Sequence, residues 1–150
     1  MNTNLLKRIH NLRFPLWTVP AFLLVLSALN TGLVIRGLGF YLDDWSVIAA
    51  YSFGGMACVK EMFFQDNRPF SIWTYAITFP LLGLRPLYWH LFLIVLRWLT
   101  ALAFWFCLRA IWPQRTREAG WVALLFTVYP AFKQQPTAVA YSQHWICYLL

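Results

Sequence analysis

Charged side chains are scarce in this sequence, and acidic ones are the scarcest. Asp, Glu, Lys and Arg make up 11% of the 150 residues, and only five residues are acidic. Ordinary soluble domains carry roughly 25% charged residues, whereas 61% of this chain is hydrophobic. The composition therefore excludes a typical soluble domain and predicts a polytopic membrane protein. Nine Trp, seven Tyr and thirteen Phe agree with aromatic belts at two membrane interfaces.

Several common functional signatures are also missing. The three cysteines, Cys58, Cys107 and Cys147, form no C-x-x-C pair, which argues against a zinc site and a disulfide framework. The sequence contains no G-x-S-x-G, no phosphate-binding glycine loop and no H-E-x-x-H motif. The net charge of +7 is scattered without a basic block, so no nucleic acid is expected as a partner. Membrane lipids or a phosphate-bearing lipid fit the charge better.

Long apolar runs predict an all-α fold, a polytopic transmembrane helix bundle. The first run follows a basic N-terminus and has no A-x-A cleavage pattern, so we interpret it as an uncleaved span. Phe70–Leu84 is shorter and contains Pro80, which favours a re-entrant or juxtamembrane segment, with a full span as the alternative. The predicted spans are Phe14–Ile35, Leu87–Leu108 and Ala119–Phe132, with another starting at Trp145.

Basic residues predict the orientation of these spans. The N-terminal segment and the cluster Arg109, Arg115 and Arg117 are expected in the cytoplasm, because Lys and Arg are enriched in cytoplasmic loops. Tyr41–Arg85 and Lys133–Gln143 then lie together on the other side. If Phe70–Leu84 is a full span, everything after it is inverted. The expected location is a bacterial plasma (inner) membrane with a cytoplasmic N-terminus.

Four of the five acidic residues lie in one stretch, Tyr41–Phe70. Apolar residues recur there at near-helical spacing from Trp45, which predicts an amphipathic juxtamembrane helix in the first outer loop. Gly54-Gly55 is expected to kink this helix or to split it in two. The residues Gln65–Pro69 predict a polar turn.

The pair Asp43-Asp44 is the first candidate site. One Asp is explained as the N-cap of a helix that starts at Trp45. The cap does not explain the second Asp, because a charged side chain next to a membrane is expected to have a role of its own. A carboxylate pair can supply a general base or bind a divalent metal through oxygen. Both alternatives remain open on the sequence.

Further candidates carry cationic or polar groups. Arg68 offers a planar fork suited to phosphate, or it is an interfacial residue that reaches the head groups. Its neighbour Asn67 lies in the same polar turn. His90 and Arg97 are seven residues apart on one helix face. An arginine inside a span indicates a functional site unless it bonds a neighbouring helix. Lys133 lies in the second polar loop.

The order of these segments resembles the N-terminal part of membrane glycosyltransferases of the GT-C class. The most similar group is that of the dolichyl-phosphate-mannose protein mannosyltransferases and their bacterial relatives. That family places an acidic pair after its first span, which matches Asp43-Asp44. Three further segments follow in the family's order: NRPFSIWTYAITFPLLGLRPLYWH (Asn67–His90), LRWLTALAFWFCLRAI (Leu96–Ile111) and AGWVALLFTVYPAF (Ala119–Phe132).

The resemblance implies a mechanism and also shows departures. A polyprenyl-phosphate sugar would be the donor, Asp43 the general base with Asp44 in support, and Arg68 and Lys133 the cations that stabilise the leaving phosphate where a metal is missing. Together with Asn67, His90 and Arg97, these two cations are the expected substrate-binding residues. Relatives often have His where this chain has Tyr129, and an acidic residue where it has Gln134 and Gln135. These differences weaken the expectation of a metal.

The family is also longer than this chain. The apolar run at Trp145–Leu150 predicts an incomplete, GT-C-like fragment that is inactive alone. The alternative function is a non-enzymatic polytopic membrane protein, such as a transporter fragment or an assembly subunit.

Overall fold

The protein is built from helices. The computed structural model describes residue 15, residues 17–129 and residues 136–150, and no β-strand occurs within these ranges. The all-α prediction is confirmed for this part of the chain. Its elements are α1 (Thr18–Gly32), a 3-10 turn (Ile35–Gly37), α2 (Asp44–Gln65), α3 (Pro69–Leu82), α4 (Pro86–Ile111), α5 (Thr116–Thr127) and α6 (Ala138–Leu149).

Three helical segments of the described chain are long and apolar enough to cross a membrane. They are Thr18–Gly37, Asp44–Gln65 and Pro86–Ile111, with mean hydropathies of 1.9, 1.3 and 2.2. Large apolar side chains also point outward from the bundle, as expected where lipid rather than water is the neighbour. Examples on α1, α4 and α5 are Phe22, Val25, Leu29, Leu91, Val95, Phe106, Trp121 and Leu125.

α4, the longest helix described, is antiparallel to α1. Its 26 residues extend over about 39 Å at 1.5 Å per residue. Near its start, His90 Nε2 lies 3.0 Å from the carbonyl oxygen of Gly39, which follows α1. Further along, Trp98 Nε1 donates to the carbonyl of Pro20, near the start of α1. α1 and α4 are therefore antiparallel. We call the end marked by Gly39 and His90 the cleft end.

α2 bends back on itself at Gly55. This residue has φ 61° and ψ −153°, a conformation outside the helix. Asp43 and Ser46 before the bend line the same cleft as Phe63 and Asp66 after it. A straight helix of 22 residues would separate its ends by about 33 Å. Although α2 is long enough for a span, both of its ends lie at the cleft end, and the predicted kink is confirmed.

α3 also stays at the cleft end. Pro69, at its start, lines the cleft. At its other end, the carbonyl of Gly83 accepts a hydrogen bond of 2.9 Å from Trp89 Nε1 in the first turn of α4. With 14 residues, α3 is shorter than the roughly 20 that a full span needs, and its juxtamembrane placement stays a prediction.

Two buried clusters hold the bundle together. The first joins α2, α3, α4 and α6 at the cleft end, and the second joins α1, α4 and α5 towards the opposite end. In the first cluster the Tyr51 and Phe79 rings stack with centroids 3.9 Å apart. Because α2, α3 and α6 share one core, their polar ends are held around a common cleft.

The helix bounds differ from the predicted spans in several places. α4 extends past Leu108 to Ile111, since the first proline after it is Pro113. α5 begins at Thr116 and ends at Thr127, and residues 130–135 lie outside the described residues. Phe14, the predicted start of the first span, also lies outside them. The prediction of a polar loop up to Gln143 is wrong for its second half, because α6 already begins at Ala138.

Candidate functional site

One cleft of about 620 Å³ opens between α2, the turn that follows it, and α6. Its walls carry carboxylate, guanidinium, amide, hydroxyl and imidazole groups together with aromatic rings. The polar lining residues are Asp43, Ser46, Asp66, Asn67, Arg68, Ser71, Tyr141, Gln143, His144 and Tyr148. Three of the residues predicted from the sequence, Asp43, Asn67 and Arg68, are brought together here.

Asp43 lines this cleft, and its carboxylate has no hydrogen-bond partner among the described residues. It occupies the N-cap position of α2, yet its side chain makes no capping hydrogen bond. Its backbone carbonyl accepts a hydrogen bond of 2.7 Å from Ser46 Oγ. The side chain is exposed and lines the cleft. An exposed carboxylate that is not needed for capping is available to accept a proton from a bound molecule.

Asp44 faces the opposite way. It is fully buried, and its two carboxylate oxygens accept hydrogen bonds from three backbone amides at the start of α6. Oδ2 lies 2.9 Å from the nitrogen of Ala138, and Oδ1 lies 2.9 and 2.8 Å from those of Val139 and Ala140. Asp44 is therefore a cap for a helix distant in sequence, and it does not line the cleft.

Asn67 and Arg68 end α2 in a Schellman motif. Asn67 has a positive φ of 56°, and its amide donates to the carbonyl of Phe64. The amide of Arg68 donates to the carbonyl of Phe63 at 2.9 Å. These are the two bonds that define the motif, and Asn is one of the few residues that tolerates its left-handed position. Both side chains are exposed and line the cleft.

His90 and Arg97 do not belong to the cleft lining. His90 is buried and contacts the carbonyl of Gly39. Arg97 is also buried, and its Nη2 donates to the carbonyl of Thr127 at 3.3 Å. Its guanidinium lies 5.2 Å from the ring centroid of Trp145. Arg97 thus links α4, α5 and α6. The remaining candidate, Lys133, lies outside the described residues.

The α6 wall contributes residues that the sequence analysis had not selected. The rings of Tyr141 and His144 are stacked with centroids 4.6 Å apart, and both line the cleft. Gln143 Oε1 accepts a hydrogen bond of 2.7 Å from Thr74 Oγ1 on α3. Tyr141, His144 and Tyr148 have the spacing of one helix face. This periodicity does not stand out in the sequence if the segment up to Gln143 is interpreted as a loop.

The donor groups of the cleft do not form a recognisable metal site. No cluster of three or more His, Cys, Asp or Glu side chains that would hold a metal occurs in the described part of the chain. Asp44 is turned away and bonded to amides. The two carboxylates of the acidic pair therefore have different surroundings: Asp43 lines the cleft and Asp44 bonds the start of α6.

Comparison of the sequence with protein-family models, with curated proteins and with solved structures found no match.

Proposed function

We propose that this chain forms part of a membrane glycosyltransferase that transfers a sugar from a polyprenyl-phosphate donor to an acceptor hydroxyl at the outer membrane face. The observation that carries the proposal is that Asp43 and Arg68 line one cleft. A free carboxylate and a guanidinium are the two groups that displacement of a lipid phosphate by a hydroxyl requires. The resemblance in segment order supports the same reaction.

Asp43 is the general base in this scheme. It takes the proton of the acceptor hydroxyl as the hydroxyl oxygen attacks the anomeric carbon of the sugar. A new carbon–oxygen bond forms to the acceptor while the bond between the anomeric carbon and the phosphate oxygen breaks. The configuration is inverted, and the electron pair leaves with the lipid phosphate. No further reactant is needed.

Arg68 stabilises the leaving phosphate. Charge develops on the phosphate oxygens as the bond breaks, and a preorganised cation lowers the energy of that transition state. Since the carboxylates of the cleft are not grouped with other metal ligands, we assign this role to a side chain and derive no step through a metal. Lys133, which lies outside the described residues, is a further cation that the resemblance implies for the same role.

The second candidate is a non-enzymatic assembly subunit or transporter part. Two observations favour it: Asp44 caps a helix, and Arg97 bonds within the bundle. Both residues are then explained by the fold alone. The candidates differ at Asp43, which has no structural bond from its carboxylate to another described residue.

Substitution of Asp43 tests the proposed function. Membranes with the intact wild-type protein, the Asp43→Asn variant or the Glu61→Gln variant receive polyprenyl-phosphate mannose labelled in the sugar. Asp43→Asn should lower transfer about 10²- to 10⁴-fold, the usual contribution of a general base. Its thermal stability should match wild type, since the Asp43 side chain makes no capping hydrogen bond that the change could remove. Glu61, exposed on α2 outside the cleft, is the matched control. Wild-type transfer by Asp43→Asn would end the catalytic assignment and favour the assembly subunit.

A further inference from the structure

We propose that Asp44 is a positioning residue whose carboxylate locks the α6 wall of the cleft against the α2 wall. The oxygens of Asp44 bond the amides of residues 138, 139 and 140 at 2.8 to 2.9 Å. Asp43, the adjacent residue, lines the cleft. One peptide unit thus separates the proposed base from the anchor of the opposite wall. The consequence for catalysis rests on the proposed function, whereas the lock itself does not.

The start of α6 has no cap of its own. Thr137 occupies its N-cap position, but the side chain makes no capping hydrogen bond. Thr137 is 2% exposed, and its Oγ1 is buried without a partner. Helix N-termini leave their first amides unsatisfied unless a side chain or water accepts from them. A distant carboxylate therefore does what the local threonine does not.

A carboxylate suits this place for two reasons. It offers two oxygens with several lone pairs, so it can serve three amides at once. Its negative charge also meets the positive end of the α6 dipole, which stabilises both partners. Asn would keep one acceptor oxygen and turn an N–H₂ group towards amide donors. The charge and geometry of Asp44 are thus both used.

Side-chain hydrogen bonds also join α6 to α3, and apolar packing in the first cluster joins it to α2 and α4. Tyr75 Oη donates to the carbonyl of Val139 at 3.3 Å, and Thr74 Oγ1 donates to Gln143 Oε1 at 2.7 Å. Both donors are on α3. Asp44 adds three hydrogen bonds between α6 and the helix that carries Asp43. Loss of these bonds should let the wall with Tyr141 and His144 shift relative to Asp43, while α6 stays attached to the bundle.

Cross-linking across the cleft measures this lock without any assay of transfer. Cys147 on α6 and Ser46 on α2 are both exposed and line the cleft. A Ser46→Cys variant, with Cys58 and Cys107 changed to Ser, is treated with a short bismaleimide. We expect efficient cross-linking in this background and a several-fold lower rate after Asp44→Asn or Asp44→Ala. Glu61→Gln, a matched change on the same helix, should not alter the rate.

A new N-cap on α6 itself tests whether Asp44 positions the cleft wall or only caps the helix. Thr137→Asp places a carboxylate at the N-cap of α6, where Asp is among the preferred residues. In the Asp44→Ala background this change should restore the thermal stability of the protein. It should not restore the cross-linking rate, because α6 is then capped without being tied to α2.

Kinetics of the intact enzyme supply the second readout. A displacement of about 1 Å at a reacting group can lower the rate about 10²-fold, so kcat of Asp44→Asn should fall by that order with a smaller change in KM. The Asp44→Ala Thr137→Asp variant should be stable yet equally slow. The proposal is overturned if cross-linking is unchanged by Asp44→Asn, or if Thr137→Asp restores both cross-linking and kcat. Should wild type transfer no sugar, the proposed function fails and cross-linking alone decides the lock.

Discussion

Gly54 and Cys58 meet at the bend of α2 so closely that a Cβ built on Gly54 would lie 2.6 Å from the Cβ of Cys58. That distance is shorter than any ordinary carbon contact. The next residue, Gly55, has φ 61° and ψ −153°, a region of backbone conformation that is essentially restricted to glycine. The two glycines meet different requirements of one bend: close approach at Gly54 and an unusual dihedral at Gly55.

Substitution of either glycine should open the bend. Gly54→Ala forces a clash, and Gly55→Ala should cost of order 1–3 kcal/mol because its dihedrals are strained for any other residue. Thermal unfolding in detergent measures the loss. Gly32→Ala is the matched control, since a Cβ there meets nothing within 4 Å and alanine favours a helix. Equal stability of the Gly55→Ala and Gly32→Ala variants would contradict this account of the bend.

The turn after α2 allows binding and folding to be tested separately at Asn67. Gly is the preferred residue at the left-handed position of a Schellman motif, so Asn67→Gly should keep the free energy of unfolding near wild type. It also removes the carboxamide side chain of Asn67, a residue that lines the cleft. If that amide contributes one hydrogen bond of about 0.5–1.5 kcal/mol, KM for the polyprenyl-phosphate donor should rise roughly 2- to 12-fold.

The Asn67→Ala variant completes that comparison. It also lacks the amide, but it must adopt the left-handed conformation at a cost of roughly 1–2 kcal/mol. Both variants should therefore raise KM alike, and only Asn67→Ala should lose stability. An unchanged KM in both would leave Asn67 with its role in the turn alone.

The guanidinium of Arg97 is expected to be unnecessary for donor binding. It lies over Trp145 and bonds the carbonyl of Thr127, and its Nε and Nη1 atoms are buried without a partner. Replacement of a buried charge by an apolar residue of similar volume is often neutral or stabilising. Arg97→Met should accordingly keep or raise the unfolding temperature and leave KM for the donor unchanged.

Trp145→Ala, unlike Arg97→Met, is expected to destabilise the protein. Trp145 is 2% exposed, so its truncation leaves a cavity and a buried guanidinium without its aromatic partner. We expect a loss of about 3–5 kcal/mol, as for other buried tryptophans. A marked rise in donor KM for Arg97→Met would instead support the substrate-binding role that the sequence predicts.

Local signals predicted some of these features and long-range contacts determined the others. The glycine pair at 54–55 and the polar turn before Pro69 are explained by backbone preferences, and both were predicted from the sequence. The sequence does not predict the start of α6, because the residue that caps it, Asp44, lies 94 residues away. The same contact explains why two adjacent aspartates differ: one faces the cleft, and the other is buried. The resemblance implies different roles for the two residues, but only the fold shows that Asp44 is buried against α6 while Asp43 lines the cleft.

The two ends of the bundle are expected to face opposite sides of the membrane. Asp66 and His144 line one cleft, whereas Arg115 follows α4, whose length of about 39 Å places it at the other end of the bundle. Arginine-rich loops favour the cytoplasm, and Arg109 and Arg117 flank this turn. We therefore expect the cleft to open on the outer side.

Single cysteines at these positions test both parts of that arrangement. In a background with Cys58, Cys107 and Cys147 changed to Ser, the variants Asp66→Cys and His144→Cys should react with an impermeant maleimide in intact cells. Arg115→Cys, exposed at the opposite end, should react only after permeabilisation. If Asp66→Cys is labelled from outside and His144→Cys is not, the two residues do not open to the same side of the membrane. That result would contradict a shared cleft. Labelling of Arg115→Cys alone in intact cells would keep the cleft and reverse its orientation, which would place the proposed base on the cytoplasmic side.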